Sequence, residues 1–125
     1  VSLSLDIVPD SPGVYMLFDE AGRFIYVGKS DNLQRRLSEH FSPAEENSII
    51  RFFAKLFIWE QTLSQNDAEF AEGQIYDIWV DLAGYPPLAN KNAPPKSKYS
   101  GSDENVKRLR LLLEKLKNRC TYNAK

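Results

Sequence analysis

Two short runs of β-branched and aromatic residues lie close together near the start of the chain, at Gly13–Phe18 and Arg23–Gly28. The residues between these runs, Asp-Glu-Ala-Gly, are polar or small. Strand-forming runs separated by such a segment predict a β-hairpin closed by a four-residue loop.

The register of this hairpin decides which side chains share a face. With a four-residue loop, Tyr15 lies opposite Tyr26, and successive side chains alternate between the two faces. The apolar side chains then gather on one face, which favours this register: Val14, Met16, Ile25 and Val27. Both tyrosines lie on the other face, where we expect Gly13 and Gly28 to let a ligand approach the backbone.

The spacing after the hairpin becomes helical. A helix is predicted to begin after Ser30 and Asp31, which can cap it, and to run to about Phe41. Its buried stripe has i, i+4, i+8 spacing: Leu33, Leu37 and Phe41. A short helix over 48–55 and a strand over 56–63 are predicted next.

The clearest helix is predicted over Ala68–Ala83, with Asp67 as its cap and Gly84 at its end. Its apolar stripe consists of Ala68, Ala71, Ile75, Ile78, Trp79 and Leu82. A linker rich in Pro, Lys and Ser then leads to a last helix over about 103–119, with a leucine stripe and otherwise basic faces. This order of elements predicts a compact α+β core with a C-terminal helical tail.

Length and composition exclude several classes of protein. The 125 residues correspond to one domain, and no apolar run approaches the roughly 18 residues that a membrane span requires. One cysteine and one histidine exclude an intramolecular disulfide, a multi-cysteine zinc site and a His-based zinc protease motif. No basic segment followed by an apolar one begins the sequence, so we expect a cytoplasmic protein.

The net charge of −1 conceals an asymmetry between the two ends of the chain. Residues 1–85 hold 6 Lys and Arg against 14 Asp and Glu, whereas residues 86–125 hold 10 against 3. An acidic body with a basic tail indicates an anionic partner that binds mainly to the tail. A solubilising tail that pairs with its own acidic body explains the same asymmetry equally well.

Glu72 is an unusual residue because it falls at the flank of an apolar helical stripe. A carboxylate beside a buried stripe is costly unless it is paired, protonated or bound to a cation. It could reach water or Arg36 at the rim, or it could bind a hard divalent ion such as Mg²⁺.

Other polar residues near the hairpin also suggest chemistry. Lys29 and Ser30 stand at a predicted helix start, where free N–H groups favour anions. The Gly-Lys-Ser triplet lacks the preceding glycine of an NTPase phosphate loop. Arg36 and His40, four residues apart, could clamp a phosphate and shuttle a proton, or could simply form a solvated ridge with a structural histidine.

Together these residues resemble a known family. The order Gly13-Val14-Tyr15, Tyr26-Val27-Gly28-Lys29-Ser30, Asn32-Leu33, Arg36, His40 and Glu72 is similar to that of the GIY-YIG nuclease domain, over residues 9–91. The residues of the motif look most like those of the N-terminal cleavage domain of the bacterial nucleotide-excision-repair incision subunit. His40 is closer to the homing-endonuclease and restriction-enzyme branches of the family.

The resemblance implies a small three-stranded antiparallel sheet flanked by helices, and hydrolysis of a DNA phosphodiester with one divalent cation, Mg²⁺ or Mn²⁺. Glu72 matches the metal-binding glutamate, and Arg36 matches the arginine that holds the scissile phosphate. Tyr15 or Tyr26 matches the tyrosines near the attacking water. On chemical grounds, His40 could relay the proton. Four further residues are expected to bind the substrate: Gly28, Lys29, Ser30 and Asn90. Asn90 resembles the asparagine that ends the family core, although about six extra residues precede it.

The resulting hypothesis is a metal-dependent endonuclease that acts on DNA and does not enter membranes. Residues 9–91 form the nuclease domain, and residues 92–125 form a basic linker and a C-terminal helix. The alternative is a catalytically silent nucleic-acid-binding module with the same fold. In either case, the leucine stripe of the last helix is suited to pairing two copies as a homodimer.

Overall fold

The structure, a computed structural model, describes residues 5–94 together with residues 107 and 111. A short 3₁₀ turn at Leu5–Ile7 precedes the sheet. The three strands are β1 (Gly13–Phe18), β2 (Phe24–Ser30) and β3 (Leu56–Gln61), and the three helices are α1 (Leu33–His40), α2 (Ser48–Phe53) and α3 (Gln65–Ala83). Lys107 and Leu111 are helical, but the rest of the predicted last helix lies outside the described residues, so its homodimer contact stays a prediction.

The strands form one antiparallel sheet in the order β2-β1-β3. The central strand, β1, is buried along its whole length because both of its edges are paired and both of its faces are covered. The predicted α+β class with a small three-stranded antiparallel sheet is confirmed.

The hairpin register differs from the predicted one by two residues. Tyr15 pairs with Gly28 instead of Tyr26. Because side chains alternate with a period of two, this shift leaves both tyrosines on one face. An irregularity in the pairing near the loop leaves Ile25 unpaired, so its side chain joins the core on the tyrosine face instead of the Val27 face.

The loop explains the difference in register. It has five residues, Asp19–Arg23, between β1 and β2. The Asp19 carboxylate accepts a hydrogen bond from the Arg23 backbone N–H at 2.8 Å and another from Arg23 Nε at 2.8 Å. Gly22 adopts a positive φ of 83° in this turn. Arg23 is thereby held in the loop instead of starting the strand.

Both faces of the sheet are buried, each against different helices. One face packs on α3 and includes Val14, Met16, Phe18, Phe24, Val27, Ala71, Ile75 and Trp79. The tyrosine face packs on α1 and α2 and includes Tyr15, Leu17, Ile25, Leu33, Leu37, Ile50, Ala54 and Phe57. The tyrosines therefore belong to a second apolar core, which the sequence did not reveal.

Two helix caps lie at residues other than the predicted ones. Asn32, not Ser30 or Asp31, caps α1, because its side-chain oxygen accepts from the Arg35 backbone N–H at 3.0 Å. Ser64, not Asp67, caps α3, which begins three residues before its predicted start at Ala68. Its hydroxyl accepts from the Asp67 backbone N–H and donates to the Asp67 carboxylate.

The predicted end of α3 is confirmed: Gly84 takes the left-handed conformation with a φ of 82°. On the predicted stripe of this helix, Leu82 is half exposed. Within the described part of the chain, no helix is both long and apolar enough to cross a membrane.

Candidate active site

Three aromatic rings meet where β1, β2 and the end of α1 come together. The Tyr15 hydroxyl lies 2.6 Å from His40 Nε2. The ring centroids of Tyr15 and Tyr26 are 6.2 Å apart, and they lie 5.3 Å and 5.4 Å, respectively, from the centroid of His40. The two tyrosines therefore lie side by side on one face of the sheet, as the sequence predicts.

Gly28 makes room for the Tyr15 ring, which is almost completely buried. A Cβ atom on Gly28 would overlap the phenol end of Tyr15 and the edge of the other tyrosine ring. The equivalent space beside Gly13 is filled by a carbonyl oxygen of β3 and a leucine side chain of α1. The expectation that these glycines let a ligand approach the backbone is wrong, because protein atoms fill both spaces.

His40 is the last residue of α1 and is buried between two hydrogen-bonding groups. Its Nε2 faces Tyr15, and its Nδ1 lies 3.0 Å from a carboxylate oxygen of Glu45. Burial lowers the pKa of His40, and the positive charge of Arg36 lowers it further, whereas Glu45 raises it. His40 is therefore not on a solvated ridge.

Arg36 lies one helical turn before His40 and has a partly exposed side chain that pairs with Glu39 at 3.1 Å. Burial raises the pKa of both tyrosine hydroxyls, and the Arg36 charge acts in the opposite direction on each of them. One cation thus stabilises the ionised form of Tyr15 and of Tyr26.

Glu72 lies on α3 and also acts on both tyrosine hydroxyls, since its charge raises their pKa. Burial raises the pKa of Glu72 itself to about 7, although Lys29 opposes the shift. No hydrogen bond or salt bridge joins its carboxylate to another side chain in the part of the chain that the structure describes. By contrast, Glu69 accepts a hydrogen bond from Lys29 Nζ at 2.7 Å.

This single half-buried carboxylate fits a hard divalent cation. Among residues 5–94, no three His, Cys, Asp or Glu side chains come together as a metal cluster. A cation such as Mg²⁺ does not require one, because it retains several waters and binds phosphate oxygens beside one or two carboxylates. Glu72 has the free oxygens and the position for such a role.

Two residues predicted to bind substrate are engaged within the protein. Lys29 pairs with Glu69 across β2 and α3. The Ser30 hydroxyl donates to the Asn32 carbonyl oxygen and accepts from the Asn32 backbone N–H, both at 2.9 Å. Lys29 therefore links β2 to α3, and Ser30 fixes the turn between β2 and α1.

The N-terminus of α1 does not present the free N–H groups that the sequence predicts for an anion site. The Leu33 N–H donates to the Ser11 carbonyl oxygen, and the Gln34 N–H donates to the Pro9 carbonyl oxygen. The next N–H group is satisfied by the Asn32 cap. The Pro9–Ser11 segment occupies the place expected for an anion, so this prediction is wrong.

Asn90 lies beside the outer edge of β2. Its Nδ2 donates to the Val27 carbonyl oxygen at 3.0 Å, and its Oδ1 accepts from the Val27 backbone N–H at 3.0 Å. The side chain therefore pairs with the strand segment between Tyr26 and Gly28.

Glu45 is the residue of the site that sequence reasoning missed. It lies in the loop after α1, is buried, and bonds to His40. No periodicity marks a loop carboxylate. The only available signal was its position five residues after a candidate histidine, just beyond a Ser-Pro turn.

The three-stranded antiparallel sheet with its flanking helices is the fold of the GIY-YIG endonuclease class. Within that class, residues 11–70 match the model of the UvrC-like GIY-YIG domain. The match covers just under half of the chain, so it is a similarity of this segment to the UvrC-like GIY-YIG family.

Curated relatives carry the name UvrABC system protein C. The chain is 39% identical to the protein from Gloeobacter violaceus over 67 residues, which are 52% of this chain and 11% of the relative. It is 39% identical to the protein from Neisseria meningitidis over 70 residues, which are 55% of this chain and 11% of the relative. The matches therefore span little more than a tenth of these relatives' length.

Solved structures show the same fold. The GIY-YIG N-terminal endonuclease domain of UvrC from Thermotoga maritima, bound to magnesium, superposes with a TM-score of 0.56 at 24% identity, over 69% of this chain and 90% of that chain. A point mutant of that domain, bound to its catalytic divalent cation, gives 0.56 at 25% identity, over 70% and 91%.

Proposed function

We propose that this chain is a metal-dependent endonuclease that hydrolyses DNA phosphodiester bonds with a single divalent cation, Mg²⁺ or Mn²⁺. The observation that carries the proposal is that the charges of Arg36 and Glu72, which lie on different helices, both act on the pKa of Tyr15 and of Tyr26. Phosphodiester hydrolysis requires charge neutralisation on the phosphate and activation of a water. The four side chains offer both.

Glu72 is the residue that would hold the cation. When bound, a divalent cation polarises the phosphate and stabilises the negative charge that develops during hydrolysis. The relatives support this assignment, since the Thermotoga maritima domain is described with magnesium as its catalytic divalent cation. Among the described residues, Glu72 has no salt-bridge partner, whereas Glu69 pairs with Lys29, so of these two carboxylates Glu72 is the one available as a ligand.

Arg36 is suited to holding the scissile phosphate. Its guanidinium offers a planar fork of donors that matches two phosphate oxygens. The side chain is 39% exposed, so a phosphate from solvent can reach it. Its pairing with Glu39 on the same helix orients the guanidinium without closing the site.

The two tyrosines have different positions relative to solvent. Tyr15 is buried behind Gly28, whereas Tyr26 is partly exposed. We therefore assign Tyr26 to the side of the attacking water and Tyr15 to the interior, in contact with His40. Burial raises the pKa of Tyr26, and the Arg36 charge opposes that rise, so Arg36 is the group that eases the loss of the Tyr26 proton.

We further propose that residues 9–91 form the nuclease domain and that residues 92–125 add affinity for DNA. All residues assigned to chemistry lie between 15 and 72, in the acidic part of the chain. The basic tail supplies the positive charge that the acidic part lacks, because contacts from Lys and Arg to phosphate dominate nucleic-acid affinity.

The test is cleavage of DNA by the full chain. Plain, nicked and branched duplexes are incubated with the protein in the presence of Mg²⁺, Mn²⁺ or EDTA, and products are resolved on denaturing gels. We expect metal-dependent cleavage of at least one duplex and none in EDTA. Binding to all three duplexes without cleavage in either metal would identify a silent nucleic-acid-binding module instead.

A further inference from the structure

A buried chain of three side chains, Glu45, His40 and Tyr15, runs from the loop after α1 into the sheet. His40 Nδ1 is 3.0 Å from Glu45 Oε1, and His40 Nε2 is 2.6 Å from the Tyr15 hydroxyl. All three residues are less than a tenth exposed. The only histidine of the chain therefore has both ring nitrogens occupied by side chains that can exchange or orient a proton.

The chemistry of these groups fixes the direction of each hydrogen bond. An ionised carboxylate only accepts, so the proton of a neutral His40 lies on Nδ1 and donates to Glu45. Nε2 is then left with a lone pair, which accepts from the Tyr15 hydroxyl. The contacts thus define one tautomer of His40.

The Glu45 loop is held in place independently of His40. The Glu45 backbone N–H donates to the Ser42 carbonyl oxygen at 3.2 Å. Arg51 of α2 donates to the Glu45 carbonyl oxygen. The carboxylate is therefore presented to His40 from a fixed loop, and a fixed partner is what orients an imidazole ring.

We propose that Glu45 is a positioning residue that holds His40 in the Nδ1–H form, so that His40 Nε2 accepts the Tyr15 proton during phosphodiester hydrolysis. The proton leaves Tyr15 Oη for Nε2, and the products are a phenolate and an imidazolium. Arg36 stabilises the phenolate, and Glu45 stabilises the imidazolium. This inference rests on the proposed endonuclease function, but its first test does not.

Charged and titratable groups approach His40 from every element packed on it, and each must be considered in a pH experiment. They are Tyr15 on β1, Tyr26 on β2, Arg36 and Glu39 on α1, and Glu45 in the loop. Arg51 on α2 and Lys55, which follows α2, line a cavity together with His40. Burial lowers the pKa of His40 and Arg36 lowers it further, while Glu45 acts in the opposite direction. Loss of the Glu45 charge should therefore lower the pKa of His40.

The first test is nitrogen-15 NMR of His40, whose signals are unambiguous because the chain contains one histidine. Couplings between ring protons and ring nitrogens report the tautomer, and a pH titration reports the pKa, without metal or DNA. We expect the Nδ1–H tautomer in the wild type and a lower pKa of His40 in Glu45→Gln, because the carboxylate that favours the charged imidazole is lost. Glu46→Gln removes the adjacent exposed carboxylate and should leave both unchanged.

The second test is single-turnover DNA cleavage by the same variants. We expect Glu45→Gln to cut at least about tenfold more slowly with unchanged DNA affinity, and the acidic limb of its pH–rate profile to move to lower pH. Glu45→Asp keeps the charge and should recover part of the rate, whereas Glu46→Gln should cut like the wild type.

The outcomes separate the two claims. An Nε2–H tautomer in the wild type, or the same His40 pKa in Glu45→Gln and wild type, overturns the role of Glu45 whether or not DNA is cut. A wild-type protein that cuts no DNA overturns the proposed function, and the tautomer and titration still decide whether Glu45 orients His40. A slower Glu45→Gln variant whose pH–rate limb has not moved would reduce Glu45 to a structural residue.

Discussion

Asn90 pairs with the backbone of Val27 as a neighbouring strand would, with one hydrogen bond in each direction at 3.0 Å. Val27 lies on β2, an outer strand of the sheet, whose outer edge pairs with no strand in the part of the chain that the structure describes. Because Tyr26 and Gly28 flank Val27, the amide of Asn90 fixes the backbone that carries the tyrosine pair. Asn90 thereby holds the strand that positions Tyr26.

Replacing Asn90 with aspartate should loosen this strand edge. The carboxylate of Asn90→Asp retains the acceptor for the Val27 N–H but leaves the Val27 carbonyl oxygen without its donor. We expect a loss of about 1 to 3 kcal/mol in the free energy of unfolding, measured by urea denaturation. Asn92→Asp makes the same chemical change at an exposed position nearby and should cost almost nothing. Equal losses in the two variants would contradict the pairing with Val27.

Glu72→Gln should abolish cleavage and leave the fold and DNA binding largely intact. The amide preserves the shape of the side chain but removes the charge that holds a divalent cation. Glu69→Gln is the matched control one turn away, because Glu69 is engaged by Lys29. Cleavage rates and DNA affinities of both variants are measured at saturating Mg²⁺. If the two variants cut at the same rate, Glu72 is not the metal ligand.

Gly28→Ala should separate Tyr15 from His40, because the new methyl group would occupy the space of the Tyr15 phenol. Tyr15 is packed in the core and cannot move aside freely. We expect lower thermal stability and a changed His40 NMR signal. Gly73→Ala is the control, since a Cβ atom there meets no atom within 4 Å. An unperturbed His40 signal in Gly28→Ala would show that Tyr15 has room to shift.

The sequence predicted the elements of this fold well, because each depends on local spacing. The leucine stripe of α1 and the glycine that ends α3 are properties of a few consecutive residues. The register of the hairpin, by contrast, does not follow from local spacing. It depends on whether the Asp19 side chain holds Arg23 in the loop, and alternation alone is equally satisfied by two registers that differ by two residues.

In the candidate site, too, the residues that a local motif marks were predicted, and those that depend on the path of the chain were not. Tyr15, Tyr26, Arg36, His40 and Glu72 were predicted from their order in the chain. In the structure, the charges of Arg36 and Glu72 act on both tyrosines, and Arg36 also acts on His40. Glu45 was missed because only the path of the loop after α1 brings it to His40. The anion site at α1 was predicted wrongly, because its N–H groups are satisfied by Pro9 and Ser11, more than 20 residues earlier in the chain.

The pH dependence of stability should report the burial of Glu72 in metal-free protein. Its pKa is about 7 in the folded state and 4.5 as an ordinary glutamate, so the folded state binds the proton more tightly. The stabilisation is complete below pH 4.5 and is lost as the pH rises towards 7. Relative to Glu72→Gln, we expect the wild type to lose roughly 1 to 2 kcal/mol across this range, after allowance for solvent screening.

Added Mg²⁺ should reverse this loss, because the cation binds the ionised carboxylate. At a Mg²⁺ concentration 100-fold above its Kd, the expected gain is about 2.7 kcal/mol. Thermal melts at pH 5 and pH 8, with Mg²⁺ and with EDTA, give the comparison. Parallel pH curves for the wild type and Glu72→Gln in EDTA would contradict the raised pKa.

The salt dependence of DNA binding should reveal how much of the basic tail contacts phosphate. Each phosphate neutralised by Lys or Arg contributes about −0.9 to the slope of log K against log salt. Residues 86–125 contain 10 Lys and Arg, whereas residues 1–85 carry a net charge of −8, from 6 basic and 14 acidic residues. A full-length variant with glutamine at Lys107, Arg108, Arg110 and Lys115 should therefore flatten the slope by about 3 to 4, if all four contact phosphate. Lys55→Gln, at an exposed position of the acidic body, is the control and should change the slope by less than about 1. An unchanged slope in the fourfold variant would show that these side chains face away from DNA and that the body holds it unaided.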